Sequence, residues 1–140
     1  MSKTIVQKVL FKKARAKDLY DLYMNSKKHS IATGAPAKMS QKKGGKYSAH
    51  NGWILGENLH LIKDKLIVQT WRGQSWSPEE ADSIFTIFLE PKGKDVVLHA
   101  IHANVPDKEY DGIVKGWHEH YWKPWKRYLA GKPIAKSISM

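Results

Sequence analysis

The sequence predicts an α+β domain in which an antiparallel β-sheet packs against one long C-terminal helix. From Gly44 onward, apolar residues recur with a period of two, which is typical of half-buried strands. Short turn signals separate these stretches, and short connections favour antiparallel neighbours. Residues 108–130 then show aromatic side chains at helical spacing between a start signal and a stop signal.

The N-terminal part predicts one strand followed by two short helices. Residues 3–12 alternate lysine with apolar residues, as expected of a strand with one exposed face. Residues 17–24 fit a helix that places Leu19, Tyr20 and Tyr23 on one face. A second short helix fits residues 26–31, because Gly34 and Pro36 follow it and would end it.

Five further strands are expected after Gly44, which makes a sheet of about six. The strongest turn signal is Asn51-Gly52, because a type I′ hairpin turn needs positive φ at both central residues. The predicted strands are residues 44–50, 53–62, 66–72, 83–90 and 96–103.

The C-terminal helix has clear boundaries and one internal irregularity. Asp107 is a suitable N-cap, and Gly131 is a suitable C-terminal cap. Pro124 lies inside the helix and should bend it near His120, whose carbonyl loses its donor. One aromatic stripe should face the sheet, formed by Tyr110, Val114, Trp117, Tyr121, Trp125 and Tyr128.

Composition narrows the class of protein. With 140 residues, 41% of them hydrophobic, we expect a single domain spanning residues 1–140. No apolar run approaches the roughly 20 residues of a membrane span, and residues 1–12 lack the apolar core of a signal peptide. The chain has no cysteine, which excludes disulfides and thiolate chemistry. A cytoplasmic location without membrane insertion is therefore expected.

The positive charge is unevenly distributed. The net charge is +11, and residues 1–50 hold twelve Lys or Arg beside only Asp18 and Asp21. One end of the fold should therefore be basic, either as a solubilising surface or as a surface that attracts an acidic partner. The cations that would guide such a partner are Lys12, Lys13, Arg15, Lys17, Lys27 and Lys28. Lysine far outnumbers arginine, which disfavours nucleic acid, since base recognition relies on arginine forks.

Histidine and carboxylate spacing argues against a metal site and against catalysis. His118 and His120 are two apart on a helix, and His99 and His102 are three apart on a strand, so each pair points to different faces. No nucleotide-binding glycine motif or nucleophile elbow occurs, and no carboxylate pair is predicted inside the sheet. We expect no enzyme activity, no cofactor and no metal.

Several short motifs, taken in order, resemble one family. They are Gly44-Gly45-Lys46-Tyr47, Gly52, Gly56-Glu57, Ile67-Val68, Trp71-Arg72, Ser75-Trp76, Val105-Pro106, Gly116-Trp117 and Tyr121. The chain resembles the C-terminal homology domain of the activator of heat-shock-protein-90 ATPase family, over about residues 4–129. That resemblance implies the helix-grip fold of the START-like (SRPBCC) superfamily, in which the sheet wraps the C-terminal helix and encloses an apolar cavity. Full-length eukaryotic activators resemble this sequence only in their C-terminal part.

The implied cavity gives a predicted ligand site between sheet and helix. Period-two alternation along the strands assigns the inward positions. His102 would be the rare polar group in the wall, able to orient a ligand or to bond a backbone carbonyl, and we favour the carbonyl. The predicted ligand-binding residues are Tyr47, Phe85, Ile87, Leu98, Ala100, His102, Trp117 and Tyr121.

Three functions remain open at this point. The leading hypothesis is a binding module that holds a hydrophobic or amphipathic small molecule in the cavity. The alternative is a chaperone-interaction protein that modulates a heat-shock-protein-90-type ATPase through its basic surface. An enzyme is the third, disfavoured class. A large continuous cavity would favour the first, a filled core the second, and a polar constellation in the cavity the third.

Overall fold

The computed structural model describes residues 1–131 and contains one six-stranded antiparallel sheet, ordered β1-β6-β5-β4-β3-β2. Every sheet pairing is antiparallel, as the short turns predict. Burial alternates along the strands, so one sheet face meets the core. The strands are β1 Ser2–Phe11, β2 Lys46–Ala49, β3 Ile54–Ile62, β4 Leu66–Gly73, β5 Ser83–Lys92 and β6 Asp95–Pro106.

Two short helices follow β1 as predicted. Helix α1 spans Ala16–Met24 and helix α2 spans Ser26–Thr33, two residues beyond its predicted end. The Asn25 side chain caps α2 by accepting the N–H of Lys28 at 3.0 Å. Gly34 ends the helix in the left-handed region, with φ of 79°, where glycine carries no steric penalty.

The connection between β2 and β3 is longer than predicted. Ala49 pairs with Ile54, so four residues join the strands instead of the expected two-residue Asn51-Gly52 turn. Asn51 and Gly52 do adopt positive φ, but so does His50, with φ of 50°. The third left-handed residue widens the loop, which places His50 and Trp53 outside the ladder.

The C-terminal helix confirms the predicted length but not its start or its regularity. It comprises a 3₁₀ turn, Asp107–Glu109, then α3 at Tyr110–Gly116, a π-helical segment at Trp117–Trp122 and α4 at Lys123–Leu129. The expected cap at Asp107 is wrong. That residue already lies in the 3₁₀ turn, and no side-chain cap bond forms there.

The bend predicted from Pro124 takes the form of the π-helical segment. Pro124 has no N–H to offer to His120, and its ring would crowd that carbonyl in a regular helix. The N–H of Lys123 bonds instead to the carbonyl of His118, five residues back. This wider turn places Trp117 and Trp122 on the same side, where their rings stack at 5.4 Å. The 3.6-residue spacing of the sequence therefore missed Trp122 as a core residue.

The core lies between the inner sheet face and the helices. All the strand positions assigned to the inside are buried, including Phe85, Leu98 and His102. Trp117 stacks on Phe85 with ring centroids 4.1 Å apart, and Trp125 packs near Phe11. Within residues 1–131, no helix is long and apolar enough to cross a membrane.

Candidate functional site

The fold sorts the chain's charges to opposite ends of the strands. The β3–β4 turn, the β5–β6 turn, the end of β1 and the end of α4 lie at one end, which we call the basic end. Cations from both halves of the sequence meet there, and all are exposed. They are Lys12, Lys13, Arg15, Lys17, Lys63, Lys65, Lys92, Lys94 and Lys126. Acids at this end are few, and Asp95 accepts a bond from the backbone N–H of Lys13 at 2.9 Å.

The opposite end, which we call the acidic end, holds the β4–β5 connection and the residues after β6. Six of the thirteen carboxylates lie there, although the sequence distributes them over more than thirty residues. Arg72 neutralises one of them, bonding Asp82 at 2.6 Å. The six are Glu79, Glu80, Asp82, Asp107, Glu109 and Asp111.

A cleft of about 390 Å³ opens at the acidic end, between the β2–β3 loop and the C-terminal helix. The loop contributes His50 and Trp53, β4 contributes Trp71, and the helix contributes most of the remaining wall. This volume lies within the roughly 300–1,000 Å³ of small-molecule sites. The lining residues are His50, Trp53, Ile54, Trp71, Glu109, Gly112, Ile113, Gly116, Trp117, His120 and Tyr121.

Only two of the eight predicted ligand-binding residues line this cleft. Trp117 and Tyr121 reach it from the helix. The other six are buried in the packed interior beneath it, namely Tyr47, Phe85, Ile87, Leu98, Ala100 and His102. The pocket expected around Phe85, Leu98 and His102 is filled, because the Trp117 ring stacks directly on Phe85. Open space lies farther toward the acidic end.

His102 is held by side chains, which corrects the favoured bond to a backbone carbonyl. Trp117 Nε1 donates to His102 Nδ1 at 3.1 Å, so the ring proton must lie on Nε2. Nε2 then donates to Ser83 Oγ at 2.8 Å, and that hydroxyl donates to the carbonyl of Trp71 at 2.6 Å. Burial lowers the pKa of His102 to about 3, which keeps the ring neutral.

A second buried polar network holds the helices on the sheet. His29 contacts the Tyr121 hydroxyl at 2.9 Å and the carbonyl of Tyr23 at 2.8 Å. The Tyr23 hydroxyl donates to Gln69, and Gln69 donates to Asn58. Because Tyr121 belongs to this network, the inner wall of the cleft is fixed in position. Sequence spacing gave no indication of it, since its members come from five separate segments.

The lining of the cleft is aromatic and carries little charge. Burial lowers the pKa of His50 to about 4, so this ring is neutral near pH 7. His50 and His120 lie with ring centroids 5.6 Å apart. The indole N–H of Trp71 has no hydrogen-bond partner within residues 1–131. Among the residues that the structure describes, Glu109 is the only acid in the lining, and neither Lys nor Arg contributes to it.

Comparison with known proteins identifies the family. A family model described as "Activator of Hsp90 ATPase homolog 1-like protein" matches residues 13–130. The chain belongs to this family. The "Activator of 90 kDa heat shock protein ATPase homolog" of Dictyostelium discoideum is 32% identical over 101 residues, 71% of this chain and 26% of that protein. Homolog 1 of Homo sapiens is 28% identical over 106 residues, 76% of this chain and 31% of that protein. The chain thus spans about a quarter to a third of the length of these relatives.

Solved structures confirm the helix-grip fold of the activator family. An HSP90 activator from Plasmodium falciparum has a TM-score of 0.77 at 24% identity, covering 96% of this chain and 99% of that one. A protein from Mesorhizobium loti has a TM-score of 0.80 at 15% identity, covering 94% of this chain and 100% of that one. Identities this low show the fold alone.

Proposed function

We propose that this chain is a non-catalytic binding domain that docks on a heat-shock-protein-90-type chaperone and modulates its ATPase. Two curated relatives that align with 71% and 76% of this chain, at 32% and 28% identity, are named as activators of that ATPase. The feature of this chain that carries the proposal is the basic end. We further propose that it acts in the cytoplasm, as a single domain, where such a chaperone would be met.

The basic end is suited to an acidic protein surface. Its cations are eight exposed lysines and Arg15, from four separate segments, so they form a broad surface instead of a narrow pocket. Arg15 pairs with Asp18 at 3.4 Å. Among those lysines, none pairs with a carboxylate side chain within residues 1–131. Unpaired charges of one sign steer an oppositely charged partner during encounter. The filled core beneath Trp117 also fits a docking domain better than a carrier with a deep cavity.

The test is titration of the purified chain against a purified chaperone of this class from the same organism. Binding should be seen by calorimetry at low salt and should weaken steeply as ionic strength rises. The chaperone's ATP hydrolysis rate should change on addition of the chain, while the chain alone hydrolyses no ATP. Absence of binding at micromolar concentrations and low salt would overturn the proposal.

The cleft supports a second proposal, that the domain also holds a small apolar or amphipathic molecule. The observation that favours it is an open volume of about 390 Å³ lined by Trp53, Trp71, Trp117 and Tyr121. Aromatic walls bury large ligand surface at low conformational cost, because these rings are already fixed. Of the eight residues predicted from the sequence, Trp117 and Tyr121 would contact such a ligand directly.

Gly112→Leu tests this second proposal without disturbing the core. A Cβ added at Gly112 meets no atom within 4 Å, so a leucine can be attached there without a clash at its first carbon. Replacing glycine inside a helix should also stabilise α3, by up to about 1 kcal/mol. Apolar compounds should raise the melting temperature of the wild type but not of Gly112→Leu. An equal rise in melting temperature for both proteins would show that the compounds bind outside the cleft.

A further inference from the structure

We infer that the cleft selects a small molecule with an aromatic body and a protonated amine. This inference rests on the proposal that the cleft binds a small molecule, and it names the class of that ligand. Three features of the cleft support this class of ligand: its ring walls, the carboxylate in its lining and the charge of the end on which it opens.

The walls favour a flat ring with a positive group. Trp71 lies 6.1 Å from Trp117 and 6.2 Å from Trp53, between ring centroids, and Tyr121 lies 4.7 Å from Trp117. Indole and phenol rings attract other rings in tilted or offset arrangements. Their faces also attract ammonium groups, and indole does so most strongly. Trp71 and Trp117 are each 3% exposed, and Trp117 also stacks on Phe85 and Trp122, whereas Trp53 is 38% exposed. The cleft therefore offers an aryl amine mainly the Trp53 indole, above a floor of buried rings.

The charge of the lining points the same way. Within residues 1–131, Glu109 is the only Asp, Glu, Lys or Arg in the lining. It is half-buried, and its carboxylate makes no hydrogen bond or ion pair within residues 1–131. An unpaired carboxylate at the edge of an aromatic cleft gains most from a cationic partner, since the surrounding protein screens the charges less than bulk water does.

The location of the cleft strengthens this preference. The chain as a whole has a net charge of +11, yet the cleft opens on the end where six of the thirteen carboxylates lie. The basic end lies at the opposite end of the strands. Lys108 and Lys115 are exposed beside lining residues, but a cation approaching the cleft still meets a less repulsive surface than at the basic end. Within residues 1–131, an anion such as a fatty acid finds no lysine or arginine in the lining.

Two glycines provide room for the ligand beside the carboxylate. Gly112 and Gly116 both line the cleft, one helical turn apart. Gly112 would find no atom near an added side chain, and the nearest atom at Gly116 is His120 Cδ2 at 3.8 Å. The helix surface next to Glu109 is therefore bare backbone, against which a ring can lie flat.

The test uses three probes with the same ring: 2-(2-naphthyl)ethylamine, 3-(2-naphthyl)propanoate and neutral 2-ethylnaphthalene. Affinities are measured by NMR titration at about 0.15 M salt, near physiological screening. We expect the amine to bind about tenfold more tightly than the propanoate, because its cation would be attracted by both the Trp53 indole and the Glu109 carboxylate. Gly112→Leu should abolish binding of all three, which locates the site.

Glu109→Gln is the decisive variant, and Asp111→Asn is its control. Both remove one carboxylate from the same helix region, but only Glu109 lines the cleft. Glu109→Gln should reduce the ratio of amine to propanoate affinity, because only the attraction between the amine and the aromatic rings then remains. Asp111→Asn should leave that ratio unchanged. A propanoate that binds as tightly as the amine, or an unchanged preference in Glu109→Gln, would overturn the inference and leave the small-molecule proposal standing. Failure of all three probes to bind would overturn both.

Discussion

Trp117 is the residue on which the interior and the cleft both depend. Its indole is 3% exposed, stacks on Phe85 and Trp122, and donates to His102. Trp117→Ala should lower the free energy of unfolding by about 3–5 kcal/mol, the usual cost of removing a buried large aromatic ring. Urea titration measures this, with Trp53→Ala as the control because Trp53 is 38% exposed. Similar losses in the two variants would show that Trp117 is not central to the packing.

The buried histidines predict a loss of stability in mild acid. Burial lowers the pKa of His29 to about 4 and that of His102 to about 3, against about 6.5 in the unfolded chain. The unfolded state therefore binds more protons below pH 6.5, and stability present above that pH is lost as the pH falls. Each histidine should lower the free energy of unfolding by about 2 kcal/mol as the pH falls from 7 to 5.

Urea titrations at pH 7, 6 and 5 measure this dependence. His29→Gln removes one titrating group and should reduce the loss by the share of one histidine, while exposed His60 serves as the control through His60→Gln. A His29→Gln protein with the acid sensitivity of the wild type would contradict the assignment of a neutral buried ring.

At the residue scale, alternation along strands was sufficient to predict which side chains face inward. It placed Phe85, Leu98 and His102 correctly, because the period of a strand is fixed by its geometry. The partners of those side chains could not be predicted, since Ser83 and Trp117 reach His102 from a different strand and from the helix. The open cleft was missed for the same reason, because His50 and Glu109 meet only through the fold.

At the scale of elements, Asn58 fixes the long loop before β2 onto the sheet. Its amide donates to the carbonyls of Ser40 and Lys42 and accepts from Gln69 Nε2, all while 1% exposed. Asn58→Leu should lower the free energy of unfolding by about 2 kcal/mol. The buried amide N–H of Gln69 loses its acceptor, and the loop loses two hydrogen bonds. His60→Ala, an exposed neighbour on the same strand, is the control.

Native-state hydrogen exchange separates this effect from general destabilisation. The N–H of Gly44 bonds to the carbonyl of Asn58, and the N–H of Asn58 bonds to the carbonyl of Gly45. Both amides should exchange faster in Asn58→Leu than in a variant of equal stability altered elsewhere. Unchanged protection at these two amides would contradict the role of Asn58 as the anchor of the loop.

The ends and irregularities of helices were predicted well where a single residue determines the local backbone. Gly34 ended α2 through its backbone freedom, and Pro124 correctly indicated an irregularity in the helix. The form of that irregularity could not be predicted. The π-helical segment brings Trp122 to the core, where its indole N–H donates to Gln7 Oε1 at 2.7 Å. This packing favours a π-helical turn over a simple bend. The length of the β2–β3 loop was likewise decided by packing, since Trp53 lies against Trp71.

At the scale of the whole molecule, the fold separates charge more completely than the sequence does. The sequence predicted a basic end from residues 1–50 and an almost balanced remainder. Folding divides that remainder, because strand turns carry Lys63, Lys65 and Lys94 to one end and leave six carboxylates at the other. Only the strand order reveals this, and the order was not predicted in detail.

Docking of the proposed chaperone partner on the basic end can be tested with a matched pair of charge-reversal variants. One variant changes Lys12, Lys13 and Lys17 to Glu, and the other changes Lys3, Lys108 and Lys115 to Glu, away from the basic end. The two proteins carry the same net charge, so a difference between them reports where the charge lies.

Association and dissociation rates with the chaperone are measured for both variants at low salt and at about 0.5 M salt. We expect the basic-end variant to associate about tenfold more slowly at low salt, the control to stay close to the wild type, and the difference to shrink at high salt, where charges are screened. Equal association rates for the two variants would contradict docking through the basic end.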